Sequence, residues 1–163
     1  MVSYGQLLCQ EFMASNDVEN LLSYFNYDLL DRPTIFNGAQ GYYMLKGSRV
    51  NFAEMITEEE QVAMEASIQR LNGLEDLDDD FIKITMLLSP EEANRVSQAF
   101  NRDFDGNLVA VPSGFGAIDF IQKGMHKAWG LKQLLNHWDL NEANVMAFGD
   151  GDNDIAVSYT HLT

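Results

Sequence analysis

A helical repeat, a short apolar strand and a loop of carboxylates follow one another over residues 126–154. Apolar residues recur at helical spacing from His126 onward, and the stretch NVMAFG then has the composition of a buried strand. The loop GDGDND begins where this strand ends. Such an order is typical of a parallel β-α-β unit, in which functional groups gather at the carboxyl ends of the strands. The chain is therefore predicted to have an α/β fold.

The segment before residue 50 predicts one helix and one hairpin. Ser15 and Asn16 are the candidate N-terminal caps of the helix. Its buried face is predicted to consist of Val18, Leu21, Leu22 and Phe25. Two β-rich runs around Gly38 and Gly41 then indicate a β-hairpin.

A second helix is predicted to begin at Thr57, because Thr57 and Glu60 have the spacing of a reciprocal capping box. Its predicted buried stripe is Met64, Ile68 and Leu71. The acidic runs TEEE and EDLDDD on either side of this segment are interpreted as solvated helix starts or linkers.

The middle of the chain predicts a strand, a helix and two further strands. FIKITMLL at 81–88 has the composition of a buried strand, and Ser89, Pro90 and Glu92 specify the helix start that follows. NLVAVPSG and FGAIDFIQKG supply two more strands, interrupted at Pro112 and Gly114. The helix after His126 is expected to face inward with Ala128, Leu131, Leu135 and Trp138.

Charge argues against a nucleic-acid partner. The chain has 10 Lys and Arg residues against 25 Asp and Glu residues, a formal net charge of -15, which repels a polyanion. No apolar run approaches the roughly 18 residues that span a membrane, and the first residues lack the basic start of a secretory signal. Cys9 is the single cysteine, so no internal disulfide can form. We interpret the protein as cytoplasmic, without membrane or nucleic-acid partners.

The carboxylate loop predicts a cation site. Gly149 and Gly151 let the backbone turn tightly, so Asp150, Asp152 and Asp154 crowd together and need a positive charge to balance them. Their oxygen ligands suit Mg²⁺ or Ca²⁺. An EF-hand fails here, because Ile155 stands at the sixth place, which needs glycine, and His161 at the twelfth, which needs glutamate.

Phosphoryl transfer is the other chemistry that fits this loop. Mg²⁺ and a lysine together neutralise a phosphate under attack by a carboxylate or water. Lys127 opens the helix directly before the NVMAFG strand, so in a β-α-β unit it could reach the same sheet edge as Asp150. A surface lysine without a function remains the alternative for Lys127 taken alone.

GMHKAWGLKQLL followed by NVMAFGDGDND resembles the third and fourth motifs of the haloacid dehalogenase-like hydrolases, and more narrowly the Cof-type sugar phosphatases. Asp150 follows Lys127 by 23 positions, which fits that family. The resemblance implies that Asp150 is a Mg²⁺ ligand and that Lys127 binds phosphate. It also implies that Asn153 donates to a phosphate oxygen and that Asp154 holds the loop or its metal.

The resemblance also implies a domain organisation. Residues 12–121 have the element order of the family's inserted α/β cap domain, which covers the active site and selects the substrate. Residues 122–156 would be the C-terminal part of a Rossmann-like parallel-sheet core, and residues 1–11 a core remnant or linker.

One part of the family pattern is not found where it should be. These enzymes carry the nucleophilic aspartate in an Asp-x-Asp-Gly strand before the cap, whereas here DFDG occurs only at 103–106, after a helix within the cap. We interpret Asp105-Gly106 as a turn. The nucleophile is therefore expected to be absent from this chain, which would be nearly inactive alone.

Residues 157–163 interrupt the apolar helix that normally follows the fourth motif. One frame of a common transposase adapter end encodes VSYTHL, so we interpret this tail as adapter-derived. His161 is accordingly not assigned a function.

Two functions follow from these observations. The first is a Mg²⁺-dependent phosphatase that hydrolyses small phosphorylated metabolites, such as sugar phosphates, through an aspartyl-phosphate intermediate. The alternative is a non-enzymatic divalent-cation-binding or interaction module. The sequence leaves the substrate and the oligomeric state open. Residues around Gly38, Gln40, Tyr42 and Tyr43 could touch a substrate, although strand packing is the more common role for such aromatic residues.

Overall fold

The computed structural model describes residues 2–3, 6–48 and 57–146. Its strands are β1 (Val2–Ser3), β2 (Gln6–Leu7), β3 (Thr34–Gly38), β4 (Tyr42–Leu45), β5 (Ile68–Leu71), β6 (Phe81–Leu87), β7 (Leu108–Gly114) and β8 (Ala117–Gln122). Its helices are α1 (Ser15–Tyr24), α2 (Glu58–Ser67), α3 (Pro90–Asp103) and α4 (Lys127–His137), with 3-10 turns at Leu74–Asp76 and Glu142–Asn144. The predicted α/β class is confirmed.

Six of these strands form one mixed sheet in the order β5-β4-β3-β6-β8-β7. The predicted hairpin is present, because β3 pairs with β4 in an antiparallel manner. The two strands predicted after α3 are β7 and β8, which also pair antiparallel. Pro112 lies in β7, which is an edge strand, where a residue without an N–H group interrupts no ladder of hydrogen bonds on its outer side. β1 and β2 form a separate two-stranded ribbon.

The parallel pairing of β4 with β5 corrects the prediction for the second helix. α2 ends at Ser67, and Ile68 and Leu71 pair with Tyr42 and Leu45 in a parallel ladder. Ile68 is therefore buried in the sheet, whereas Met64 on α2 is 37% exposed. The predicted helical stripe is wrong. Its apolar residues recur every three to four positions, as in a helix, but the last two of them belong to a strand.

One face of the sheet forms the main core under α1 and α3. Alternate strand residues point to this face, and the helices cover them with apolar side chains. The buried strand residues include Phe36, Ile84, Met86, Leu108, Ala110, Ile118 and Phe120. The helices contribute Val18, Leu21, Leu22, Ala93 and Phe100, and Phe25 follows α1 directly. The predicted buried face of the first helix is thus confirmed.

The two helix starts of this layer differ from each other. The N-cap of α1 is Ala14, whose carbonyl accepts from the N–H of Val18 at 3.1 Å, and its side chain makes no capping hydrogen bond. The prediction that Ser15 or Asn16 caps this helix is wrong, since the helix already includes both. The α3 start is as predicted, with Ser89 and Glu92 forming a reciprocal capping box.

Asp79 fastens the β3–β4 hairpin to the loop before β6. Its Oδ2 accepts from the backbone N–H of Gln40 and from the Tyr43 hydroxyl, both at 2.9 Å. Partial burial opposes ionisation of the Asp79 carboxyl, but these hydrogen bonds outweigh it and hold its pKa below the ordinary value. The acidic run EDLDDD was predicted to be a solvated helix start or linker. Asp79 shows that part of this run instead holds the hairpin in place.

We expect Asp79→Asn to destabilise the fold by about 1 kcal/mol at neutral pH, because the amide accepts less strongly than the carboxylate. A carboxylate with a lowered folded-state pKa stabilises the protein above the ordinary aspartate pKa of about 3.9, and this contribution is lost as the pH falls through the lowered value. Urea unfolding at pH 7 and pH 3 should show the difference between wild type and variant shrinking at pH 3. Asp80→Asn, at an exposed neighbour, is the matched control; a difference that stayed constant with pH would contradict this role.

In the described segments, the opposite face of the sheet carries a small apolar cluster and a group of polar side chains. Ile35, Met44 and Ile68 form a small second cluster with Leu87 packed against it. Beside this cluster, polar side chains of β3, β6 and β8 lie on the same face, since they alternate with the core residues of their strands.

α4 begins at the predicted position, but its predicted inward face is only partly correct. Leu135 is buried and Ala128 and Leu131 are half-buried, whereas Trp138 is 46% exposed. The predicted NVMAFG strand is not confirmed in its described part, because Asn144 ends the second 3-10 turn, Val145 and Met146 lie in no strand, and Met146 is 78% exposed. Residues 147–149 lie outside the described residues. No helix in the described ranges is long and apolar enough to cross a membrane.

Candidate functional site

Lys127 is the first residue of α4 and is exposed. The N-cap is His126, whose Nδ1 accepts from the backbone N–H of Trp129 at 3.3 Å. His126 therefore has a capping role. The start of a helix carries a partial positive charge, which adds to the lysine charge in attracting an anion.

The connection from β8 to α4 fixes where this helix starts. The N–H of Lys123 donates to the carbonyl of Asn107 at 2.9 Å, and the Lys123 ammonium donates to the carbonyl of Gly106 at 2.6 Å. The N–H of Met125 then donates to the carbonyl of Gln122 at 3.0 Å, and Gly124 between them has φ +84°. This turn ties the Lys127 end of α4 to the edge of the sheet.

The other predicted site residues, Asp150, Asn153 and Asp154, lie outside the described residues. Within the described ranges no group of three His, Cys, Asp or Glu side chains could hold a metal ion. The assignment of Mg²⁺ to Asp150 therefore stays a prediction. It depends on the chemistry of the loop, whose carboxylate oxygens are the ligands that Mg²⁺ prefers.

The DFDG stretch has the structural role that the sequence predicted. Asp103 is the last residue of α3 and forms an ion pair with Arg102, at 2.6 Å between Nε and Oδ1. Asp105 and Gly106 make the turn that leads into β7. These residues connect a helix to an edge strand, and we assign them no catalytic role.

A groove of about 450 Å³ runs between the N-terminal linker, the sheet and α4. Leu7, Cys9, Gln10 and Glu11 line one side. The opposite side consists of Ile82 and Lys83 of β6, Ile121 and Gln122 of β8, and Met125 and Trp129. Trp129 belongs to the first turn of α4, so the groove borders this turn, but Lys127 is not among its lining residues.

A connected polar network extends from the groove across the face of the sheet that lies opposite α1 and α3. Lys83 Nζ lies 3.0 Å from Asp119 Oδ2, and the Thr85 hydroxyl donates to Asp119 Oδ1 at 2.7 Å. The Asn37 side-chain amide donates to the Thr85 oxygen at 3.2 Å. The side chains of Lys83 and Asp119 are 39% and 18% exposed, so solvent or a ligand can reach them. We call these four residues the sheet-face network.

Sequence reasoning did not identify this network. FIKITMLL was interpreted as a wholly buried strand, whereas Lys83 and Thr85 alternate with the buried Ile84 and Met86. That alternation was the available signal. The partner Asp119 is 34 positions away from Thr85 and could be assigned only once β6 and β8 were known to pair.

The residues around Gly38 that could have touched a substrate act mainly in packing. Tyr43 is buried and donates to Asp79, and a Cβ at Gly38 would lie 2.1 Å from the Asp79 carboxylate. Tyr42 is 47% exposed on the neighbouring position of β4. The packing interpretation is therefore confirmed for Tyr43.

A larger groove, of about 870 Å³, lies at the other end of β6. Its lining includes Arg32, Ser89, Glu92, Arg95 and Phe115. Arg32 already pairs with Asp28, and the Glu92 carboxylate is engaged in the α3 capping box, where its hydrogen bonds with Ser89 lower its pKa. This groove is remote along β6 from Lys83, and we assign it no part in the candidate site.

The model of one protein family, the haloacid dehalogenase-like hydrolases, matches residues 2–157. Among curated proteins, 88 residues, or 54% of the chain, are 38% identical to 5-amino-6-(5-phospho-D-ribitylamino)uracil phosphatase YbjI of Escherichia coli strain K12. This match covers 32% of the length of that relative.

Solved structures resemble the chain over most of its length. A protein of Streptococcus mutans UA159 aligns with a TM-score of 0.77 and 29% identity, over 96% of this chain and 57% of the other. The sugar phosphatase BT4131, of subclass IIB, aligns with a TM-score of 0.65 and 16% identity, over 93% of this chain and 54% of the other. The second likeness shows the fold alone. The chain thus spans between a third and about three fifths of the length of these proteins.

Proposed function

The chain belongs to the haloacid dehalogenase-like hydrolase family, and from this premise we propose that it is part of a Mg²⁺-dependent phosphatase of small phosphorylated metabolites. The observation that carries the proposal is the placement of Lys127 at the first residue of α4, with Asp150 of the GDGDND loop 23 positions further on. A lysine followed by clustered carboxylates is the arrangement that phosphoryl transfer needs.

In this proposal each side chain has a separate task. Lys127 binds a phosphate oxygen and neutralises charge that develops as the bond to the leaving group breaks. Asn153 donates a hydrogen bond to another phosphate oxygen, and Asp154 holds the loop. Asp150 would hold Mg²⁺, which when bound supplies further positive charge beside the phosphate.

The bond changes are those of a double displacement. An aspartate carboxylate attacks phosphorus and forms an aspartyl-phosphate, while the leaving oxygen takes a proton and departs as an alcohol. Water then attacks the phosphorus and returns the carboxylate with inorganic phosphate. The nucleophile is the Asp-x-Asp-Gly aspartate that the family resemblance implies, and we assign that role to no residue of the described segments.

We further propose that residues 12–121 are the cap and residues 122–156 belong to the hydrolase core. The core shared by α1, α3 and the six-stranded sheet supports the first of these boundaries, because all its members lie between Met13 and Phe120. Residues 1–11 then connect the two parts, together with the turn at 123–126.

The substrate class is proposed from chemistry and from the relatives. The curated relative is named for a phosphorylated ribityl compound, and one solved neighbour is a sugar phosphatase. Both names describe phosphate esters of polyhydroxylated carbon chains. A cytoplasmic location would agree with such substrates, and the net charge of -15 disfavours nucleic acid as an alternative.

Mg²⁺ binding provides the test of this proposal. We expect millimolar Mg²⁺ to raise the melting temperature of the chain, since an ion that binds only the folded state stabilises it. Asp150→Asn should abolish this increase, whereas Asp152→Asn, at a residue of the same loop to which we assign no role, should retain it. Thermal denaturation with and without Mg²⁺ measures both.

Equal Mg²⁺ effects in the two variants would contradict the assignment of Asp150. Tight Mg²⁺ binding through Asp150, in a complete protein that hydrolyses no phosphate ester, would instead favour the divalent-cation-binding module.

A further inference from the structure

We propose that His126 is a positioning residue for the phosphate-binding lysine: its ring caps the N-terminus of α4 and so fixes the direction in which Lys127 reaches the phosphate. This inference rests on the proposed phosphatase function. It gives His126 a role that acts through Lys127, without contact between the imidazole and the substrate.

His126 holds the first turn of α4 with both its side chain and its backbone. Its Nδ1 accepts from the backbone N–H of Trp129, the third helical residue, at 3.3 Å. The His126 carbonyl accepts from the N–H of Gly130 at 3.2 Å, which is the first hydrogen bond of the helix. Serine, threonine, aspartate and asparagine are the usual N-caps, so a histidine that caps through its ring is an uncommon choice.

This turn has little else to stabilise it. Within α4, all of which is described, Leu135 is the buried residue, and it lies about two turns further on. Gly130 lowers the helix propensity. The described first turn contains no acidic residue, and Lys127 places a positive charge at the helix end where positive charge is unfavourable. A lysine there suits anion binding, and the cap offsets part of its effect on helix stability.

The backbone before His126 is tied to the sheet. The N–H of Met125 donates to the carbonyl of Gln122, the last residue of β8, at 3.0 Å. The direction of Lys127 therefore depends on the backbone of His126, which is extended, with φ -109° and ψ 177°. Loss of the ring hydrogen bond would let the turn between this anchor and the rest of α4 fray.

Fraying of this turn would weaken transition-state stabilisation. A charged group acts on developing charge only at hydrogen-bond distance, and a misplacement of about 1 Å can lower a rate by up to about 100-fold. Fraying lowers the fraction of molecules in which Lys127 has the productive direction. We therefore expect loss of the cap to lower kcat/KM about five- to tenfold, the factor that a typical N-cap contributes to a helix equilibrium.

The capping hydrogen bond is tested first, on the chain itself. Because Nδ1 accepts, the neutral imidazole of His126 must carry its proton on Nε2. Long-range ¹H–¹⁵N NMR of the ring at mildly alkaline pH should show this tautomer. The Trp129 amide should exchange with solvent about five- to tenfold more slowly than in His126→Ala. A ring protonated on Nδ1, or equal exchange of this amide in the two proteins, would overturn the proposal.

Kinetics of the complete protein, expressed from its whole reading frame, then test the effect on Lys127. His126→Ala should lower kcat/KM about five- to tenfold, whereas His126→Asn, whose side-chain oxygen also caps a helix, should retain at least about half of the wild-type value. In the Lys127→Ala background, His126→Ala should cause no further loss, because its effect passes through the lysine. His137→Ala, at the exposed last residue of α4, is the control and should leave kcat/KM unchanged.

The other roles that His126 could have give different results. A loss in His126→Asn as large as that in His126→Ala would show that the ring itself acts on the substrate. An unchanged kcat/KM in His126→Ala, with a lower melting temperature, would show a purely structural cap. A further loss in the Lys127→Ala background would show a role independent of the lysine. In a protein that hydrolyses phosphate esters, any of these results would overturn the inference alone. An inactive wild-type protein with an intact cap would refute the proposed function, and with it the inference that rests on it.

Discussion

Replacing Lys127 by alanine is expected to lower kcat/KM for phosphate ester hydrolysis by the complete protein about 100- to 1,000-fold, the usual cost of removing one group that stabilises transition-state charge. The reason is that negative charge moves onto the phosphate and leaving oxygens during transfer. Lys127, at the first residue of α4, adds a full positive charge to that of the helix start. Steady-state kinetics with a soluble phosphate monoester measures the effect.

Two further variants make this result specific. Lys127→Arg keeps the positive charge but replaces the ammonium by a planar guanidinium. It should therefore retain more activity than Lys127→Ala. Lys132→Ala removes an exposed lysine from the same helix and should leave kcat/KM unchanged. Equal losses in Lys127→Ala and Lys132→Ala would show that general surface charge, and no specific phosphate contact, was responsible.

Phe100→Ala is expected to destabilise the fold by about 3–5 kcal/mol, the typical cost of truncating a buried phenylalanine. Phe100 is fully buried on α3 and lies at the centre of the aromatic core. Its ring centroid is 4.3 Å from that of Phe104, 4.9 Å from Phe120 and 5.1 Å from Tyr24. Removing the ring leaves a cavity between α1, α3 and β8. These elements would have to shift to fill it, because the core is closely packed.

Urea unfolding followed by far-UV circular dichroism measures this loss of stability. Phe115→Ala is the matched control, because Phe115 is 72% exposed at the tip of the β7–β8 hairpin. A loss below about 1 kcal/mol for Phe100→Ala, or an equal loss for Phe115→Ala, would contradict a shared core under this face of the sheet.

Local sequence signals predicted much of the described structure correctly. The Ser89 capping box and the start of the helix at Lys127 depend on residues within one helical turn, and both are confirmed. The strand predicted over 81–88 is β6, Phe81–Leu87. Each of these elements is specified by neighbours in the chain, so no tertiary information was needed.

Two of the errors occur where distant residues decide the structure. Ile68 and Leu71 belong to a strand because β4 lies beside them, and no local pattern reveals a parallel partner. Asp79 stands in an acidic run that is typical of a solvated loop, yet it binds residues of the β3–β4 hairpin.

The same contrast between local and distant signals applies to the residues of the candidate site. Lys127 was found from its position before a strand and a carboxylate loop, whereas the network of Lys83, Thr85 and Asp119 requires the pairing of β6 with β8. Motifs of contiguous residues therefore indicated Lys127, which we propose as the phosphate ligand. The sheet-face network is assembled from separate strands and became visible only in the fold.

Mg²⁺-dependent release of inorganic phosphate is the most direct test of the phosphatase proposal. The assay uses the protein expressed from its whole reading frame, with a panel of polyol and sugar monophosphates, in Mg²⁺ and in EDTA. The account predicts hydrolysis in Mg²⁺ that disappears in EDTA and falls steeply in Lys127→Ala. No hydrolysis by this protein in Mg²⁺, or equal hydrolysis under all three conditions, would contradict it.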